Sequence, residues 1–270
     1  MTVTVAAVQM CSGKQLEENL QRAAQLVAEA VEQGARLVVL PENFAYYGSK
    51  NLQEIAQQER TPHGPARQFM AELAASQGVW LVGGTIPVAD ADFQKGFASC
   101  FVYDDTGEEV ARYNKIHLFD VDVGDTHNRY RESDDYMHGA KPVVLETPFG
   151  KIGLSVCYDL RFAELYRELA ERGAEIIVVP SAFTATTGEA HWQLLLRARA
   201  VENQCFVIGA NMGERDHPRK PTWGESMIVH PWGKVLNALE GGEGVVCAEI
   251  DLAEIAHLKS RMPIASHRRL

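Results

Sequence analysis

The sequence predicts an α/β fold. Short runs of apolar, often β-branched residues alternate with longer amphipathic stretches, the amphipathic stretches stop at glycines, and several of the apolar runs end abruptly in reactive polar side chains. By itself this alternation favours an open parallel sheet. No repeat, linker or low-complexity tract interrupts the 270 residues, so a single domain over 1–270 is expected.

The first strand is expected at 3–9, where apolar and polar residues alternate, and an amphipathic helix at 16–33, stopped by Gly34. Residues 37–40 are all apolar and read as a buried strand. A helix over 64–77 ends at Gly78, and strands follow at 80–86 and 98–103, the second closed by an Asp-Asp-Thr-Gly turn at 104–107. The strand at 109–115 leads into a long polar segment, 120–138. Strands at 143–146 and 152–156 precede a helix at 164–172 that stops at Gly173. A strand at 176–179, a helix at 191–203 and strands at 205–211, 227–230, 235–239 and 245–251 complete the pattern.

Three strand ends carry chemistry. The run at 37–40 meets Pro41-Glu42-Asn43-Phe44, the strand from 109 meets Asn114-Lys115-Ile116-His117, and the run at 152–156 meets Cys157-Tyr158-Asp159-Leu160-Arg161. Side chains at strand ends project from rigid elements into a crevice. A carboxylate, an amine and a thiol placed so suit a hydrolase that works through a covalent acyl-enzyme.

Composition narrows the partners. The net charge is −10 and no long basic run occurs, which argues against nucleic acid and anionic membranes. There is no 18-residue apolar span, and the N-terminal residues read as a strand rather than a targeting segment. Cys11, Cys100, Cys157, Cys205 and Cys247 are odd in number, irregular in spacing and without a CxxC pair, so neither a disulfide framework nor a zinc site is expected. The reducing cytoplasm is the expected setting. His117, His127 and His138 lie ten and eleven residues apart, which fits no compact metal motif. Neither metal nor cofactor is implied.

Pro-Glu-Asn-Phe, Tyr-Asn-Lys-Ile-His-Leu-Phe-Asp and Ser-Val-Cys-Tyr-Asp-Leu-Arg-Phe together resemble the three signature segments of the nitrilase superfamily, the carbon–nitrogen hydrolases. The resemblance runs over nearly the whole chain. It implies a four-layer α-β-β-α sandwich with two mixed sheets face to face, and a homodimer in which the tail at 262–270 reaches the partner. It also implies that Cys157 is the nucleophile, Glu42 the proton shuttle, and Lys115 the oxyanion partner together with the Tyr158 N–H. Glu132, in a Glu-Ser-x-x-x-x-x-Gly segment, matches the family's second glutamate, which positions the substrate and holds Lys115.

Further segments resemble the Nit branch, notably Pro-Ser-Ala-Phe-Thr-x-Thr-Thr-Gly-x-Ala-His-Trp from residue 180. That resemblance implies an amidase for a linear amide of an α-keto dicarboxylic acid. One substrate is deaminated glutathione, cleaved to 2-oxoglutarate and cysteinylglycine. The alternative is an ω-amidase acting on 2-oxoglutaramate or 2-oxosuccinamate, and a more distant one is a non-catalytic binding protein of the same fold. Pro180-Ser181 and the C-terminal Pro-Ile-Ala-Ser-His-Arg-Arg favour deaminated glutathione, whereas the segment at 125–131 departs from the pattern beside the expected mouth. Arg161 matches an arginine suited to the α-keto acid carboxylate. Thr187 and Tyr46 or Tyr47 are expected to complete the pocket, with His191 beside them.

Overall fold

The computed structural model describes residues 2–90, 95–124, 129–215 and 220–269. In the N-terminal half, β1 (Thr2–Gln9), β2 (Leu37–Val39), β3 (Trp80–Val82), β4 (Ile86–Val88), β5 (Phe97–Tyr103) and β6 (Glu109–Asn114) follow one another, with a small ribbon of β7 (Asp120–Val121) and β8 (Tyr130–Arg131) after them. The second half contributes β9 (Val143–Thr147), β10 (Gly150–Leu154), β11 (Ile176–Ser181), β12 (Phe206–Asn211), β13 (Ser226–Val229), β14 (Val235–Leu239) and β15 (Gly244–Asp251). The helices are α1 (Leu16–Glu32), α2 (Leu52–Gln58), α3 (Pro65–Gln77), α4 (Ala163–Glu171), α5 (Ala185–Asn203), α6 (Ala253–Arg261) and α7 (Ile264–His267).

Two mixed sheets result. One runs β15-β1-β2-β3-β5-β4 with β6 on β5, and the other runs β14-β13-β12-β11-β10-β9. The strand β1 explains the layering. Val3, Val5 and Ala7 face the second sheet and join the core that holds Ile176, Val178 and Phe206. Ala6, Val8 and Met10 face the other way, against Leu26 and Val27 of α1 and Met70 of α3. Helices α4 and α5 cover the second sheet through Leu165, Leu169, Trp192 and Leu196. The order is helix, sheet, sheet, helix. The open parallel sheet that alternation alone favours is replaced by this sandwich, because β1 pairs antiparallel with β15 at the far end of the chain.

Local differences have local causes. The single strand expected at 80–86 is divided into β3 and β4 by Gly83 and Gly84, the latter at φ +53°. Helix α5 starts at Ala185, earlier than the expected 191, because the Thr184 hydroxyl accepts from Thr187 N–H and caps it. Gly188 therefore sits inside the helix, where a Cβ would stand 2.1 Å from the Trp223 side chain. Helices α2, α6 and α7 were not expected, and all are short.

Two close backbone approaches position the site. A Cβ on Gly84 would lie 2.0 Å from the Pro41 carbonyl oxygen, beside Glu42. A Cβ on Gly139 would lie 2.0 Å from the Asn114 carbonyl oxygen, and Gly139 N–H donates to the Lys115 carbonyl at 2.7 Å. Gly139→Ala should force that contact apart and lower the unfolding free energy by about 1–3 kcal/mol. Urea unfolding checks it, and a wild-type midpoint would contradict the tight approach.

Candidate active site

Glu42 follows β2 after Leu40 and Pro41. Its turn is held from the next residue, where Asn43 takes a left-handed φ of +59° and donates its N–H to Thr85 Oγ1 at 3.0 Å. Lys115 follows β6 directly and is almost fully buried. Its ammonium donates to Glu42 Oε1 at 2.7 Å and to Glu132 Oε1 and Oε2 at 2.9 and 2.8 Å. The remaining oxygen of Glu42 accepts the Ala182 N–H at 2.9 Å, just past β11. Glu132 opens a short 3₁₀ turn after β8, and its carboxylate also accepts the Phe119 N–H at 2.7 Å. A solvated loop glutamate is the default for such a polar segment, but here it is drawn inward by the buried cation.

Cys157 is the first residue of a 3₁₀ turn, Cys157–Arg161, that follows β10. Its φ is +47°, a left-handed conformation that costs a non-glycine residue about 1–2 kcal/mol. The surrounding turn holds it there. Val156 N–H donates to Asp159 Oδ2 at 2.9 Å, and Asp159 N–H returns to the Val156 carbonyl at 3.0 Å.

The electrostatics follow from burial. Burial, then the Glu42 carboxylate and a hydrogen bond to it, push the Cys157 thiol well above its ordinary range, against the pull of Lys115. Burial alone would lower Lys115, but Glu132 and Glu42 outweigh it and hold the ammonium well above the ordinary lysine range. Burial raises Glu132 and Glu42 adds to that, while Lys115 opposes them. The site therefore presents a thiol and a fixed cation, with Glu42 hydrogen-bonded to that cation. That set can move a proton off sulfur and stabilise an oxyanion.

These groups stand on the wall of a cavity of about 530 Å³. Of the substrate-binding candidates, Tyr46, Tyr47, Tyr158 and Thr187 line it. The Tyr46 hydroxyl donates to buried Glu59 at 2.6 Å, the Tyr47 hydroxyl to the Lys220 carbonyl at 3.1 Å, and the Thr187 hydroxyl shares a bond with Thr184 at 2.8 Å. Arg161 and His191 lie off this wall. The Arg161 guanidinium covers the rings of Tyr158 and Phe183, 5.8 and 5.4 Å from their centroids, and meets His191 Nδ1 at 3.3 Å. Arg129 and Lys220, on the wall, were missed by sequence reasoning, and nothing in their polar loops marks them out. His117 turns onto Asp159 and His138 Nδ1 lies 3.0 Å from the Gly139 carbonyl, while His127 lies outside the described residues.

A carbon-nitrogen hydrolase family model matches residues 4–260. The chain belongs to the carbon–nitrogen hydrolase family. It is 40% identical to a deaminated glutathione amidase of Yersinia enterocolitica, over 98% of this chain and 92% of that protein. It is 41% identical to the omega-amidase NIT2 of Danio rerio, over 98% and 94%. Its fold matches the NitFhit protein of C. elegans with a TM-score of 0.90 at 37% identity, covering 99% of this chain and 65% of that one. The chain is thus a hydrolase of the amide-cleaving kind, with the nitrilase sandwich. No helix among the described residues is long and apolar enough to cross a membrane.

Removing Lys115 leaves two carboxylates facing each other without their cation. Lys115→Met should therefore lower the unfolding free energy by about 3–5 kcal/mol. Chemical denaturation measures this, and an unchanged midpoint would contradict the buried ion cluster.

Proposed function

We propose that the chain hydrolyses the side-chain amide of an α-keto dicarboxylic acid through a thioester on Cys157. Glu42 takes the thiol proton as Sγ attacks the amide carbon. The S–C bond forms, the carbonyl π pair moves to oxygen, and the Lys115 ammonium with the Tyr158 N–H stabilises that oxyanion. As the oxyanion collapses, the C–N bond breaks and Glu42 gives its proton to the departing nitrogen. Water then attacks the thioester with Glu42 as base. The S–C bond breaks, the acid leaves, and the proton returns to sulfur. Glu132 holds Lys115 in place and helps to position the substrate. The observation that supports this reading is the convergence of Cys157, Glu42 and Lys115 on one cavity wall, with the Lys115 ammonium donating to Glu42 at 2.7 Å.

Deaminated glutathione is the substrate we infer. It and 2-oxoglutaramate deliver the same 2-oxoglutaryl group and differ in the leaving group, cysteinylglycine against ammonia. The peptide substrate has twice as many non-hydrogen atoms, and a cavity of about 530 Å³ suits a ligand of that size. The Yersinia relative carries this activity in its name. The similarly close Danio omega-amidase favours the second reading, with ammonia as leaving group. Arg129 and Lys220 are the direct candidates for a substrate carboxylate, with Arg161 acting through the rings it covers.

A homodimer in a reducing compartment completes the proposal. Leu194 and Val201, seven residues apart on α5, are exposed large hydrophobic residues, as is Trp232, which supports helix-to-helix pairing with a second copy. Gln204 Nε2, at the end of α5, donates to the Met262 carbonyl at 2.8 Å, at the start of the tail expected to reach the partner. The five free cysteines suit a compartment that keeps Cys157 a thiol.

Steady-state hydrolysis of both substrates, with Cys157→Ala as control, tests the assignment. We expect kcat/KM for deaminated glutathione to exceed that for 2-oxoglutaramate by about tenfold, equivalent to about 1.4 kcal/mol. The reverse preference would make the chain an ω-amidase.

A further inference from the structure

Asp159 has no chemical part in the reaction above, yet it is fully buried and its carboxylate takes four polar contacts. Oδ2 accepts the Val156 N–H at 2.9 Å and the Tyr113 hydroxyl at 2.7 Å. Oδ1 accepts the His117 N–H at 3.0 Å and lies 2.6 Å from His117 Nδ1. A carboxylate acceptor places the ring proton of His117 on Nδ1.

The donors come from two places in the chain. Val156 immediately precedes Cys157. Tyr113 and His117 lie two residues to either side of Lys115. One carboxylate therefore ties the turn that bears the thiol to the segment that bears the ammonium. The His117 ring is also stacked on Phe162, with centroids 3.6 Å apart and planes 6° from parallel. The left-handed Cys157 is flanked by the same carboxylate through Val156. A strained residue persists where its surroundings over-determine it.

We propose that Asp159, acting through His117 and Tyr113, is a positioning residue that holds Cys157 and Lys115 in register for attack. This rests on the reading of Cys157 as nucleophile and Lys115 as oxyanion partner. Misplacing reacting groups by about 1 Å costs about 100-fold in rate, while ground-state binding need not change. The effect belongs in kcat.

Asp159 itself is a poor test, because Asp159→Asn turns an amide N–H₂ towards donors and endangers the fold. The partners are better. His117→Ala removes the Nδ1 donor and leaves the backbone N–H to serve Oδ1. His117→Asn returns an N–H near the place of Nδ1. Tyr113→Phe removes one donor from Oδ2 and gives a second variant should His117→Ala not fold. On deaminated glutathione and 2-oxoglutaramate, His117→Ala and Tyr113→Phe should lower kcat by about 10- to 100-fold with KM within about threefold, and His117→Asn should regain most of the loss. The rate of iodoacetamide modification at Cys157, read by peptide mass spectrometry, should follow the same order without reference to any substrate.

The proposal is overturned if His117→Ala and Tyr113→Phe keep kcat within about threefold of wild type, if the loss falls on KM alone, or if His117→Asn is as impaired as His117→Ala. Cys157→Ala, assayed alongside, separates the two levels. Turnover in that variant overturns the nucleophile assignment, whereas an inactive Cys157→Ala beside fully active His117→Ala and Tyr113→Phe overturns the positioning role alone.

Discussion

A buried ammonium with two carboxylates around it sets the terms for the rest of the molecule. Lys115 is almost wholly removed from water, so its charge needs partners at hydrogen-bond distance. Those partners come from far apart in the sequence. Glu42 arrives from the end of β2, Glu132 from the turn after β8, and each is oriented by a backbone N–H, Ala182 for one and Phe119 for the other. Ala182 follows β11 in the second sheet, so the carboxylate that meets Lys115 also bridges the two sheets. The sandwich supplies these strand ends at one place, and the ion cluster makes their relative placement costly to change.

The proposed nucleophile lives under a related constraint. Cys157 sits in a backbone conformation that a cysteine does not prefer, and burial together with Glu42 keeps its sulfur protonated. Both conditions make it dependent on neighbours. Asp159 bonds the turn that bears the sulfur, and the proposed mechanism gives Glu42 the removal of its proton. Gly84 and Gly139 allow the backbone to close on Pro41 and Asn114, so the two charged residues emerge from fixed positions.

Much of this was legible in the sequence, and the exceptions are instructive. Glu42, Lys115 and Cys157 stood out because each follows closely on an expected strand, and Glu132 because its spacing to Gly139 matches a family segment; all four reach one cavity wall. The mixed sheet built on β1 was not legible from alternation, since the antiparallel pairing of β1 with β15 joins residues at opposite ends of the chain. Arg161 was read as a pocket cation, but the 3₁₀ turn after Cys157 carries its guanidinium across Tyr158 and Phe183 to His191. Asp159 stood in the sequence only as a polar residue of the turn after Cys157. Its real partners, Tyr113 and His117, lie on a strand end more than forty residues earlier, and no local pattern joins them.

The central claim is a covalent acyl-enzyme on Cys157, and both candidate substrates would leave the same acyl group there. Acid-quenched mass spectrometry of the protein after brief mixing with deaminated glutathione tests it most directly. The account predicts a mass increase of one 2-oxoglutaryl group, located on Cys157 and absent from Cys157→Ala. Turnover of that substrate by wild type, with an identical adduct surviving in Cys157→Ala or located on another residue, would contradict it.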